Sequence, residues 1–266
     1  MYVNALASSA ETSIPSRLRL ATRREVERRL RSLIDFFQEV FGRVVYMGER
    51  VYNPEELVFT QEHLESDKLA LVLKASLVEG YSAPIIVVIG WNNARYIIDG
   101  HHRVLVSAWL KRRIVGHTLV IPGYKPKVAK SILEVGVFNP PDTPEHLYCW
   151  RHVVNIIRFL EVQHETLAEV WLEEVPAGRL RPTEYPRTLK PVPVSEGCPP
   201  LVYKYGEDYY VIDGHHRVCH GLARGAKAFK SIVFSLQGRE IGIIKTAKRL
   251  GFEEFSKDYC GMLINQ

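Results

Sequence analysis

Asp99-Gly100-His101-His102-Arg103 brings five chemically useful residues into one short stretch. Apolar Tyr96-Ile97-Ile98 precedes it, and a helical pattern from His101 to about Lys111 follows. Gly100 lets the backbone turn sharply and come close to a ligand. The first amides of a helix have no internal partner, and the helix dipole favours an anion there. Arg103 offers a planar fork suited to phosphate, and His101 and His102 are read as further donors. Asp99, at the mouth, is of a type that holds Mg²⁺ or a substrate hydroxyl. The set reads as a nucleotide-phosphate cradle. Asp-Gly alone is equally a hairpin turn. Adjacent histidines on one helix do not converge on one metal ion.

The cradle reading gains weight from repetition. Residues 96–104 read YIIDGHHRV and residues 210–218 read YVIDGHHRV, 114 residues apart. The second box supplies Asp213, Gly214, His215, His216 and Arg217. Flanking residues align too, with Pro84-Ile85-Ile86-Val87-Val88 set against Pro200-Leu201-Val202-Tyr203. The chain is therefore read as an internal duplication. Upstream of each box stands a Pro-x-Glu, at Pro54/Glu56 and Pro182/Glu184. A carboxylate near a bound phosphate can act as general base toward a hydroxyl, which makes Glu56 and Glu184 candidate bases.

These residues need elements to hold them. Thr22-x-x-Glu25 is a capping box, followed by Val26, Leu30, Leu33, Ile34 and Phe37 at helical spacing. Thr143-Pro144 marks the corresponding start in the second half, before Leu147, Trp150, Val153 and Ile157. The two opening helices are expected to pack the halves as a pseudo-dimer. Strands are expected near 44–47 and 170–175. Gln61–Gly80 reads as a helix, whereas Tyr185–Pro200 contains five prolines and cannot form a comparable one. Each half then continues strand, turn, strand, box, helix, strand, helix. The turns fall at Trp91–Ala94 and Tyr205–Asp208. The fold class is α/β (α+β): a flexible segment at 1–20, a first unit at 21–140, and a shortened second unit at 141–266.

The 266 residues have 46% hydrophobic content and a net charge of +5. A real core is affordable, and wholesale disorder is excluded. The charge is too mild to argue for nucleic acid by itself. Seven arginines lie between Arg17 and Arg31, but acidic residues are interleaved, as on a solvated helix face. Cys149, Cys198, Cys219 and Cys260 show no C-x-x-C spacing, so no zinc clip is expected and a reducing compartment is preferred. No secretory leader or membrane span is expected, which points to the cytoplasm.

The order Pro-x-Glu, helix, strand, strand, D-G-H-H-R, helix resembles the ParB/sulfiredoxin superfamily. The box spelling is closest to archaeal ADP-dependent free-serine kinases. That resemblance implies Glu56 (and Glu184) as catalytic base, Asp99 and Asp213 as catalytic acidic residues, and Gly100–Arg103 and Gly214–Arg217 as phosphate ligands. It implies ADP or ATP, or CTP as in ParB proteins, with Mg²⁺ at Asp99, and a small hydroxyl compound as acceptor. The alternative it carries is a DNA-associated module, nucleotide-gated or nucleolytic. Sulfiredoxins carry Cys where His101 and His215 stand, so sulfur reduction is not expected.

Overall fold

The computed structural model describes residues 18–184 and 198–264. Residues 1–17, and the part of the proline-rich stretch at 185–197, lie outside the described residues. The first unit runs α1 (Arg23–Phe41), β1 (Val45–Tyr52), β2 (Leu57–Val58), β3 (His63–Glu65), α2 (Ser66–Val78), β4 (Ile85–Ile89), β5 (Arg95–Asp99), α3 (His101–Trp109), β6 (Ile114–Val120) and β7 (Gly136–Phe138). The second runs α4 (Tyr148–His164), β8 (Glu169–Pro176), β9 (Leu180–Arg181), β10 (Leu201–Tyr205), β11 (Asp208–Asp213), α5 (His215–Ala223), β12 (Ala228–Ser235), α6 (Gly242–Arg249) and α7 (Lys257–Ile264). Among the described residues no helix is long and apolar enough to cross a membrane.

The fold is α/β, and the two units share one layout. The sheets have the orders β1-β6-β4-β5-β2 and β8-β12-β10-β11-β9, with the same mixture of parallel and antiparallel pairs. Pairing corrects one sequence alignment. Ile86 lies opposite Asp99, and Leu201 lies opposite Asp213. Leu201 is thus the counterpart of Ile86, and Pro84 corresponds to Pro199 rather than Pro200. A one-residue shift matters because it exchanges the two faces of a strand. The capping box of α1 forms as expected. Thr143 instead donates its hydroxyl to Asp67 at 3.0 Å, and a 3₁₀ turn over Glu145–Leu147 starts the second unit. The expected helix after β6 is absent among the described residues, where turns lead to β7.

In each unit the opening helix covers one sheet face. Val26, Leu30 and Phe37 of α1 pack on Ile86, Val88 and Leu119. Trp150, Val153 and Ile157 of α4 share a cluster with Leu201, Tyr203 and Phe234. The units do not meet as a pseudo-dimer of opening helices. Instead α4 also packs on α2, and one apolar cluster runs through α2, α3 and α4. Both helices end in left-handed caps, at Gly42 and Glu165. Counting back from these caps, α4 places Trp150, Val154, Arg158 and Glu161 where α1 places Glu27, Arg31, Asp35 and Gln38. The four α4 residues are buried, and only that helix carries a second burying stripe.

Two buried charges sit in this contact. Glu161 accepts from Trp109 Nε1 of the first unit, from Arg158 and from the Ala168 amide, each at 2.7 Å. Arg158 also donates to the carbonyls of Ile132, Leu133 and Val135. Burial pushes the Glu161 carboxyl up, against the pull of Arg158. Removing one partner strands the other charge away from water. Glu161→Ala is therefore expected to lower the unfolding free energy by about 3–5 kcal/mol in urea denaturation. A loss below about 1 kcal/mol, the scale of an exposed pair, would show that this network does not join the units.

Candidate functional site

Each box is first a folding device. Gly100 stands at φ +99°, and a Cβ there would lie 2.5 Å from Ile85 and 3.0 Å from Arg103 Nε. Gly214 repeats the backbone at φ +103°, with slightly more room: a Cβ there would lie 3.1 Å from Pro200 and 3.2 Å from Arg217 Nε. Only glycine takes that backbone and that space without strain. Arg103 Nη2 donates to Asp99 at 2.6 Å, one helical turn away, and Nη1 donates to the Pro84 carbonyl. Arg217 repeats both, to Asp213 at 2.6 Å and to the carbonyls of Cys198 and Pro199. The arginine expected to fork a phosphate is thus largely committed to its own fold.

The histidines are not the donors expected. Thr60 N–H donates to His101 Nε2 at 3.3 Å, and the Thr60 hydroxyl donates to the Ile97 carbonyl at 2.5 Å. Thr183 and His215 form the same arrangement, at 3.1 Å, with the hydroxyl on the Val211 carbonyl at 2.6 Å. His102 Nε2 accepts from the Glu65 amide at 3.2 Å. Burial lowers His101 and His215 to about 4 and His102 to about 3. They are neutral rings that hold neighbouring chain in place.

The Pro-x-Glu pair does not survive as a correspondence. Leu57 and Leu180 begin the equivalent strands β2 and β9, beside Arg95 and Tyr209. From there Thr60 matches Thr183, and Glu184 matches Gln61. Glu56 matches Arg179. Glu56 is exposed and paired with Arg95 at 2.7 Å. Asp99 is at the far end of β5, about 13 Å along the strand. Glu184 does lie near Asp213: burial first, then that carboxylate, pushes its carboxyl up. The structure thus brings Asp99–Arg103 together in one place and Glu184 with Asp213–Arg217 in another, but leaves Glu56 out of both.

A cavity of about 220 Å³ opens over the first box. Asp99, Gly100, His101, His102 and Arg103 form its floor, and Arg19, Arg29, Gln61, Lys68 and Tyr81 its sides. Arg29 reaches across from α1 to Asp99 at 2.9 Å. The amides of His101, His102 and Arg103 open the helix without internal partners. Asp99 is the one carboxylate lining the cavity among the described residues, against four cationic side chains. Such a site favours an anion. Mg²⁺ on Asp99 does not fit, because both carboxylate oxygens already accept from guanidinium groups. No cluster of three or more metal-ligating side chains occurs among the described residues. Sequence reading missed Arg29 and Lys68, which sit 70 and 31 residues from Asp99 with no motif to flag them.

The second box is enclosed differently. α7 packs on α5, and Cys219 of α5 is disulfide-bonded to Cys260 of α7 with Cα atoms 5.2 Å apart. Phe255 lies tilted against His215, ring centroids 5.9 Å apart, as Phe59 lies against His101 at 5.8 Å. Tyr259 donates to the Glu184 carbonyl at 3.0 Å. α7 therefore backs α5 as α2 backs α3. Cys149 and Cys198 are also joined, so the four cysteines, whose spacing in sequence points to a reducing compartment, are all paired, which counts against that expectation.

No family model, curated protein or solved structure matches the chain.

The neutral histidines give a pH signature. Between pH 6.5 and about 4 the unfolded chain takes up protons that folded His101 and His215 refuse. Stability is then lost as pH falls, by up to about 1.4 kcal/mol per pH unit for each ring. Urea denaturation at pH 7 and pH 5 is expected to show about 2 kcal/mol less of this loss in His101→Gln than in wild type. An unchanged pH slope would contradict the assignment.

Proposed function

We propose that the first unit is a nucleotide-phosphate-binding site and that the second unit serves as its structural partner. The observation that carries this reading is the basic cavity over Asp99–Arg103, where helix amides, Arg19, Arg29 and Lys68 converge. At about 220 Å³ it suits a phosphate group and its neighbours, with the rest of a nucleotide lying outside. The ADP, ATP or CTP preference expected from the ParB-like resemblance belongs to this site. Phosphoryl transfer to a small hydroxyl compound would draw on positioning and charge neutralisation by the same groups. For that step the cavity supplies no free carboxylate base among the described residues, since Asp99 is held by two arginines. Phosphate binding is therefore the stronger part of the reading, ahead of kinase activity. On α1, Arg23 and Arg29 are engaged by Glu49 and Asp99, and Arg19, just before the helix, by Glu25. That leaves Arg24, Arg28 and Arg31 as a short exposed stripe, which does not favour the DNA-associated alternative.

The test is a thermal-shift series with ADP, ATP and CTP, with and without Mg²⁺. A ligand at 100 times its Kd adds about 2.7 kcal/mol to the folded state. Wild type is expected to gain melting temperature with at least one nucleotide. Lys68→Ala and Arg29→Ala should lose most of that gain, and His216→Ala in the second unit should keep it. Loss of phosphate from the nucleotide, followed with a hydroxyl acceptor present, reads transfer in the same samples. No shift with any nucleotide would refute the cradle reading.

A further inference from the structure

Behind Arg103 lies a second, smaller cavity of about 60 Å³. It shares Val72, Tyr81 and Arg103 with the larger one, so the two spaces adjoin at these side chains. The smaller space is further lined by the hydroxyl-bearing Ser82 and Ser107 and by exposed Arg112 and Arg113. No carboxylate lines this space among the described residues. Among the described residues the Arg112 guanidinium makes one long contact, to the Ser76 carbonyl at 3.4 Å. About 60 Å³ is the room of two water molecules, which suits one compact oxyanion group.

The second unit is an internal control. Helix register sets Gly221 against Ser107, and strand register sets Phe229 against Ile114. A Cβ on Gly221 would lie 2.3 Å from the Phe229 ring. The ring thus lies over Gly221, at the position that the Ser107 side chain occupies in the first unit. The two units share the box, its glycine and its Asp–Arg pair. Among the described residues they differ in the Ser107/Ile114 pair, which is Gly221/Phe229 in the second unit. Close packing is the rule inside proteins, so a cavity left open beside buried Arg103 and lined by serine hydroxyls marks a place for a polar ligand group.

We propose that this small cavity is a second anion subsite, and that the ligand of the first unit carries two oxyanion groups. One sits over the α3 amides. The other, a carboxylate or a second phosphate, enters the adjoining space past Tyr81 and Arg103, between the serine hydroxyls and Arg112/Arg113. The proposal rests on the reading of the larger cavity as a phosphate site.

Calorimetric titration with inorganic phosphate, pyrophosphate and phosphoglycolate tests it. Wild type is expected to bind at least one of the two-anion probes roughly tenfold more tightly than phosphate, the worth of one charge-assisted hydrogen bond. Which probe gains separates phosphate from carboxylate at the second position. The double variant S107G/I114F copies the pair that the second unit already tolerates and changes no charge. It should keep phosphate binding and lose the preference, whereas a merely electrostatic preference would survive in it. Arg112→Gln with Arg113→Gln, which leaves the packing intact, should also reduce the preference. Phosphate binding without a preference in wild type, or a preference that survives in the double variant, overturns the second subsite alone. No phosphate binding at all removes the reading beneath it as well.

Discussion

The ion pair between the first and last residues of each box is the constraint on which the units depend. Asp99 and Asp213 end their strands, and Arg103 and Arg217 stand one turn into the next helix. The same arginines reach the chain that leads into β4 and β10. One side chain thus fixes a strand end, a helix start and a neighbouring strand. Burial makes the arrangement demanding, since a guanidinium withdrawn from water needs every partner it has. It also explains the glycine: the arginine folds back over the position where any Cβ would stand.

This common frame is completed differently in the two units. In the first, α2 and Phe59 back the box; in the second, α7 and Phe255 arrive from the far end of the chain and are tied by Cys219–Cys260. The opening helices differ as well. α1 needs one apolar stripe because its outer side meets water, whereas α4 lies between its own sheet and α2. The contact is head-to-tail, with different surfaces used by each unit. It leaves the basic cavity beside α1 open.

The chemistry follows from that asymmetry. Neutral histidines and internally bonded arginines leave the box itself with little free charge. At the first site further cationic groups come from outside the box: Lys68, Arg29, which shares Asp99 with Arg103, and Arg19, which is paired with Glu25. At the second, Glu184 stands where Gln61 stands in the first, beside Asp213. Among the described residues, equal boxes therefore sit among unequal charges.

Much of the fold was legible in the sequence because it rests on local rules. The repeated box, the α1 capping box, the hairpins and the glycine conformation depend on residues within a few positions of one another. What failed depended on pairing across space. Glu56 and Glu184 look alike in sequence, yet strand register sets Glu56 against Arg179 and Glu184 against Gln61. Pro84 and Pro200 differ by one step that only the ladder resolves. The disulfides, the substitution of α7 for α2 and the arrival of Arg29 and Lys68 at the box join residues tens of positions apart. A one-dimensional pattern records which side chains a helix or strand presents. Which other element comes to meet them is decided when the chain closes its core.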